Sequence, residues 1–114
     1  MFVGSFGGKT GVCTYRFDVE TGKAELVESG FSEINVGHAL IDGDRGLIYV
    51  TNEKSNNPAF AFGGGGEVYA LKIDRESGRL SLWDKTLSYG ALPTCSAMDR
   101  AKRYMIVPHF RAKP

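Results

Sequence analysis

Two cysteines in 114 residues are too few for a disulfide framework. Cys13 and Cys95 read first as small buried apolar residues, ahead of a disulfide or a reactive thiol. No apolar run approaches the roughly 20 residues that span a bilayer, so no membrane partner is expected. A net charge of +1 supplies no strong field for nucleic acid or an anionic surface. The basic residues are scattered, apart from Arg111 and Lys113 near the end. The opening MFVGSF lacks the charged start and long apolar stretch of a signal peptide, which makes the cytoplasm the default compartment. No stretch carries a convincing amphipathic helix. No His/Cys/Asp/Glu group has metal-ligand spacing, so no metal is expected. Proline is scarce at 4 and glycine plentiful at 15. The glycines follow no collagen-like period. They punctuate short apolar segments, as many strands and tight turns require.

A repeat is present. Residues 11–28, GVCTYRFDVETGKAELVE, lie on residues 67–84, EVYALKIDRESGRLSLWD, at an offset of 56. Val12 meets Val68, Asp18 meets Asp74, Glu20 meets Glu76, Gly22 meets Gly78 and Leu26 meets Leu82. Downstream, HALIDGDRGLIYVTNE (38–53) lies on CSAMDRAKRYMIVPHF (95–110) at an offset of 57. A period of this size points to a stacked-repeat architecture.

Each unit reads as short strands. Phe2–Phe6 is rich in β-formers. From Val12 to Val19, apolar Cys13, Tyr15, Phe17 and Val19 alternate with a mostly polar set, the pattern of a half-buried strand. Asp18–Lys23 is a turn in which the Asp side chain bonds its own backbone and Gly22 supplies a positive φ. Ala24–Val27 returns, and residues 28–37 connect. Ala39–Ile41 and Leu47–Val50 form a second hairpin around Asp42–Gly46. The apolar run LIYV suits a strand covered on both faces. Lys54–Gly66 is the longest loop, holding Asn56-Asn57-Pro58, Phe60 and Phe62. Its Gly63–Gly66 run lacks the Lys-[Ser/Thr] and following helix of a phosphate-binding loop, and reads as flexible chain. The cycle then repeats. Val68–Ile73 and Leu80–Trp83 flank the turn Asp74–Arg79, Ser88–Pro93 connects, and Ser96–Met98 and Tyr104–Val107 flank Arg100–Arg103.

The expected fold is all-β, a propeller of four-stranded antiparallel blades. Residues 1–114 form a partial propeller domain. Residues 1–30 are the outer strands of a ring-closing blade, 38–87 the first complete blade, and 94–114 the start of the next. About two blades' worth is present, whereas seven such units need on the order of 350–400 residues. The chain is therefore expected to be a fragment, with the remaining blades of its own chain as its first partner. About three repeats are needed for stability, so in isolation aggregation or oligomerisation is expected.

YRFDVETGKAEL (15–26), LIYVTNE (47–53), VYALKIDRESGRLSL (68–82) and PTCSAMDRAKRYMIV (93–107) together resemble the lactonase family of seven-bladed propellers, the group of the propeller-type 6-phosphogluconolactonases. The likeness runs from Phe2 to about Phe110. The chain departs from the usual family pattern at Asn35-Val36-Gly37, at Pro93-Thr94-Cys95 and at His109-Phe110. The resemblance implies cofactor-free hydrolysis of 6-phospho-D-glucono-1,5-lactone to 6-phosphogluconate, in the pentose phosphate pathway. Alternatives are a muconolactone-type cycloisomerase or other sugar-lactone enzyme, and a non-catalytic propeller that binds a ligand or protein.

Strand direction places the tight turns on one face of the ring and the longer loops on the other. Function usually sits on longer loops. Glu53 and His38 are the candidate catalytic residues, since a carboxylate or imidazole can take the proton of a water attacking a lactone carbonyl. The plainer alternatives are a solvated Glu53 paired with Lys54 and an inward His38 satisfied by backbone. Asn52, Cys95, His109 and Arg111 are the candidate substrate contacts, Arg111 for a phosphate. Asn52 could instead only cap its strand. Asp18, Asp42, Asp74 and Asp99 recur in turns and read as turn formers.

Overall fold

The computed structural model describes residues 1–55 and 64–111, the last by its backbone alone. The expectations for Asn56–Pro58, Phe60, Phe62, Gly63, Lys113 and the Arg111 side chain lie outside the described residues. Strands, turns and loops make up the described chain, and no helix of it is long and apolar enough to cross a membrane.

Strands β1 (Phe2–Gly4), β2 (Val12–Phe17) and β3 (Ala24–Gly30) form a three-stranded antiparallel sheet in that order. Strands β4 (Val36–Asp42), β5 (Leu47–Asn52), β6 (Glu67–Ile73) and β7 (Leu80–Leu87) form a four-stranded antiparallel sheet, again in chain order. This is a propeller blade. β8 (Ala91–Pro93) pairs with β11 (His109–Arg111), and β9 (Ala97–Met98) with β10 (Met105–Ile106). These four pieces make one interrupted hairpin. Sequence reading assigned 88–93 to a connection and opened a new loop after Val107. The hairpin instead reaches further in both directions. Pro93 and Pro108 lack the N–H that a continuous ladder needs, and Thr94 N bridges the gap to Pro108 O at 3.2 Å.

The repeat holds down to its irregularities. The β2–β3 register shifts between Thr14 and Tyr15, and the β6–β7 register shifts between Ala70 and Leu71. These positions are 56 apart, as in the repeat. The extra residues on the partner strands, Val27 and Trp83, are equivalent too. A bulge at this point adds twist where the outer strand leaves its neighbour.

The turns also match atom for atom. Asp18 Oδ1 accepts from Glu20 N at 2.9 Å and Thr21 N at 3.3 Å. Asp74 Oδ1 accepts from Glu76 N at 2.9 Å and Ser77 N at 3.1 Å. Gly22 and Gly78 follow at φ 71° and 75°, a region that disfavours any residue with a Cβ. Backbone donors hold the Asp18 and Asp74 carboxyls below their usual value. Asp99 is held down in the same way by Tyr104 N and Arg103 N.

The core lies between the two sheets. Val12, Ile34, Val36, Ile48, Val50, Tyr69 and Leu71 are buried there, with Phe2, Phe31, Ile73 and Leu80 packed around them. On β5 and β6 alternate side chains point inward, as the two-residue strand period dictates. Complete burial of Ile48 and Leu71 stabilises by about 1.5–3 kcal/mol each. LIYV is not covered equally on both faces. Ile48 and Val50 are fully buried, while Leu47 and Tyr49 are half-buried. Tyr49, Val68 and Ala70 line the opposite face, a groove of about 510 Å³ closed on one side by Met105 and Val107.

At the turn end, polar contacts tie the blade to the next hairpin. Lys102 Nζ lies 2.6 Å from the buried Asp42 Oδ1 and 2.8 Å from Asp44 Oδ2. Arg45 donates to Lys102 O at 3.1 Å, and its Nε lies 3.7 Å from Asp42 Oδ2. The hydrogen bond from Lys102 holds the Asp42 carboxyl down, and the pair raises the Lys102 ammonium. Cys13 is buried and free. Cys95 is free but exposed, contrary to expectation; it lies in the segment between β8 and β9, next to the buried Ser96.

Candidate functional site

The end of the blade opposite the tight turns gathers side chains from β4, β5, β6 and the β8–β11 hairpin. Asn35, Asn52, Glu53 and Glu67 form its frame. Glu53 N donates to Asn35 O at 2.8 Å, and Asn35 Nδ2 donates back to Glu53 O at 3.2 Å. Asn35 N donates to Asn52 Oδ1 at 2.8 Å, while Asn52 Nδ2 donates to Glu67 Oε2 at 2.7 Å. Gly7 N donates to Asn35 Oδ1, which brings in the loop after β1. Asn52 is fully buried, and its amide oxygen and nitrogen are both engaged within the chain.

Glu53 is half-buried, and its carboxylate has no hydrogen bond or ion pair among the described residues. The adjacent Lys54 turns away to Glu67, with Nζ 3.6 Å from Oε2. The expected alternative of a Glu53–Lys54 pair is therefore absent. The Glu53 side chain crosses Gly37 closely. A Cβ on Gly37 would stand 2.6 Å from Glu53 Oε1, 2.7 Å from Glu53 Cγ and 2.7 Å from Pro93 O. Only glycine fits under this carboxylate and beside this carbonyl.

Each histidine is joined to a serine distant in sequence. His38 Nδ1 and Ser96 Oγ are 3.0 Å apart, linking β4 to the strand of the next hairpin. His109 Nε2 and Ser88 Oγ are 2.8 Å apart. His109 lies flat over Gly90, where a Cβ would come within 2.4 Å of the ring. Gly66 is buried beneath Ser88 and Pro93 and bonds to Gly90 O at 2.8 Å. Cys95 lies beside Thr94, whose Oγ1 is 3.9 Å from Sγ. Arg111 stands in register with Ala91 on the same hairpin as His109.

The sequence-predicted residues thus fall at one end of the blade, but only some share contacts. Glu53 and Asn52 meet through Asn35. His38 reaches Ser96, and His109 reaches Ser88. As site residues, Glu67, Ser88, Gly90 and Ser96 escaped sequence reading, while Asn35 and Gly37 stood out only as a departure from the family pattern. Only Gly66 carried a local signal, as part of a glycine run. Burial, together with the nearby Glu67 and Glu33 carboxylates, pushes the Tyr69 phenol up to about 12, so it stays protonated beneath this end at neutral pH. No group of three or more His, Cys, Asp or Glu that could hold a metal occurs among the described residues.

An antiparallel four-stranded blade, stacked on a second sheet of the same repeat, defines a β-propeller. Residues 1–113 match the family model "Lactonase, 7-bladed beta-propeller", and the chain belongs to that family. A 6-phosphogluconolactonase of Formosa agariphila is 26% identical over 113 residues, covering 96% of this chain and 30% of the relative. A Bacteroides fragilis structure, provisionally named a 6-phosphogluconolactonase, superposes with a TM-score of 0.75 at 25% identity, covering 93% of this chain and 28% of that one. The periplasmic gluconolactonase of Pseudomonas aeruginosa superposes with a TM-score of 0.81 at 23% identity, covering 99% of this chain and 31% of that one. The chain therefore spans about 30% of the length of these relatives.

Proposed function

We propose that this chain forms the opening part of a seven-bladed lactone hydrolase acting on 6-phospho-D-glucono-1,5-lactone. Membership of the lactonase family and the names of the relatives support the reaction class. The observation that carries the reading is the Glu53 carboxylate, held by its backbone and without a partner among the described residues. Glu53 acts as general base. It takes a proton from water as the water oxygen bonds to the lactone carbonyl carbon. The tetrahedral intermediate then collapses, the ring C–O bond breaks, and the proton passes to the departing alkoxide. His38, held at Nδ1 by Ser96, offers Nε2 to a substrate oxygen. Cys95 and His109 are the proposed substrate contacts, and Arg111 is the proposed contact for the phosphate, because a guanidinium suits phosphate geometry. No cofactor takes part. A phosphorylated sugar is charged and stays within the cell, which supports a cytoplasmic location. Cell fractionation tests that placement, and a periplasmic result, as the name of the Pseudomonas relative suggests for that protein, contradicts it.

The test is lactone hydrolysis by the complete ring. Glu53→Gln is expected to lower kcat by about 10²–10⁴-fold, the range for loss of a positioned acid–base group. Turnover at the wild-type rate in both Glu53→Gln and His38→Ala would move the chemistry to other blades.

A further inference from the structure

We propose that Asn35 is the positioning residue for Glu53, acting in a chain Asn52–Asn35–Glu53 anchored on Glu67 and floored by Gly37. The inference rests on the reading of Glu53 as the base. Three independent observations converge on it. Asn35 grips the Glu53 peptide from both sides, its carbonyl taking the N–H at 2.8 Å and its side-chain amide donating to the carbonyl at 3.2 Å. A residue at a strand end held by one bond can rotate about it, and one held by two opposed bonds cannot. The grip is itself fixed, because Asn52 is fully buried and binds Asn35 N and Glu67 Oε2 at 2.8 and 2.7 Å. The floor is shaped for the carboxylate, since at Gly37 a Cβ would come within 2.6 Å of Glu53 Oε1.

Glu67 has a second part in the device. It draws off the Lys54 ammonium at 3.6 Å. The cation next in sequence to the base is thereby kept from pairing with it. A carboxylate freed from ion pairs and locked in place is preorganised to accept a proton from a bound water, and misplacing such a group by about 1 Å costs on the order of 10²-fold in rate.

The test is a double-mutant cycle in the complete ring, with Asn35→Ala and Glu53→Gln alone and combined. Asn35→Ala is expected to lower kcat about 10- to 100-fold with KM changed less than about threefold. In the Glu53→Gln background it is expected to lower kcat no further, because the group it positions is gone. Additive losses would overturn the positioning role while leaving Glu53 as the base. Wild-type turnover in Glu53→Gln would overturn the base reading. The crystal structure of Asn35→Ala then decides the positioning role by itself: a carboxylate displaced from Gly37 supports it, and one that stays in place overturns it. Should Asn35→Ala fail to fold, Asn35→Asp keeps the acceptor for Gly7 N, replaces the donor to Glu53 O with an acceptor and adds a negative charge, and the same cycle applies, with the Glu53→Gln background again expected to hide its effect on kcat.

Discussion

At one end of the blade, Asp74 turns its carboxylate back on its own loop, accepting from Glu76 N and Ser77 N. At the other end, Glu53 is held through its backbone, and its carboxylate has no internal partner among the described residues. Both ends carry acidic residues beside hydrogen-bonded backbone, but the Asp74 carboxylate is engaged by its own loop and the Glu53 carboxylate is not. The Asp74 turn is closed upon itself and recurs nearly unchanged at Asp18. The loop end is built from contacts between distant segments. The repeat therefore supplies a scaffold in which one end is copied and the other is specialised.

Five substitutions sharpen that comparison, taken from the loop end, where the largest effect is expected, to the acid-dependent turn, where the smallest is. Asn52→Ala at the loop end strips two buried partners, Asn35 N and Glu67, at about 1–3 kcal/mol for each polar group left unsatisfied. Chemical denaturation is expected to show this loss, and turnover is expected to fall with it, since Asn35 loses its anchor. At the turn end, Gly22→Ala costs about 1–2 kcal/mol for the left-handed backbone alone, because nothing stands within 4 Å of its Cβ. Gly78→Ala costs more, as its Cβ meets Thr14 Cγ2 at 3.0 Å and Thr14 Oγ1 already donates to Gly78 O. Neither glycine change is expected to alter kcat in protein that remains folded. Equal losses at the two glycines would break the claim that the second copy sits in the packed interface and the first does not.

Lys102→Met removes the ammonium shared by Asp42 and Asp44. A smaller drop in thermal unfolding temperature is expected, and the difference from wild type should shrink at high salt. The smallest effect is acid-dependent. A carboxyl held below 3.8 in the folded state contributes its stability above 3.8 and loses it as pH falls through the folded value. Asp74→Asn is therefore expected to be less stable than wild type at pH 7, with the gap closing below about pH 4 as the wild-type carboxyl is protonated. A gap that widens in acid would contradict the backbone-donor account.

The Asp18 and Asp74 turns were legible in the sequence because their chemistry is local. An Asp and a Gly four residues apart specify the side-chain bonds and the positive φ without help from elsewhere. The strands were legible too, β2 from its alternation, β5 from its apolar run and β6 from the repeat, but the face that β2 buries was not: Val12 and Thr14 are buried, whereas Phe17 and Val19 of the apolar set are exposed. The interrupted hairpin was less legible. Pro93 and Pro108 read as breaks, and only tertiary pairing shows that His109 returns beside Pro93. The loop end was legible in outline, since Glu53, His38 and His109 follow from strand direction. Its working parts were not. Asn35 meets Glu53 across 18 residues and His38 meets Ser96 across 58, and no local pattern announces either. Gly37 and Gly90 look like ordinary loop glycines until another chain segment lies within contact of the missing Cβ. Cys95 is exposed in the segment between β8 and β9, where composition alone pointed to burial.

The most direct measurement is initial-rate hydrolysis of 6-phospho-D-glucono-1,5-lactone by the complete ring carrying Glu53→Gln or Asp74→Asn, with thermal unfolding followed in parallel. The expected result is a fall in kcat of about 10²–10⁴-fold for Glu53→Gln at an unchanged unfolding temperature. Asp74→Asn should unfold earlier and turn over normally. Full activity in Glu53→Gln, or a loss of turnover in folded Asp74→Asn, would contradict the division of the blade into a structural end and a chemical end.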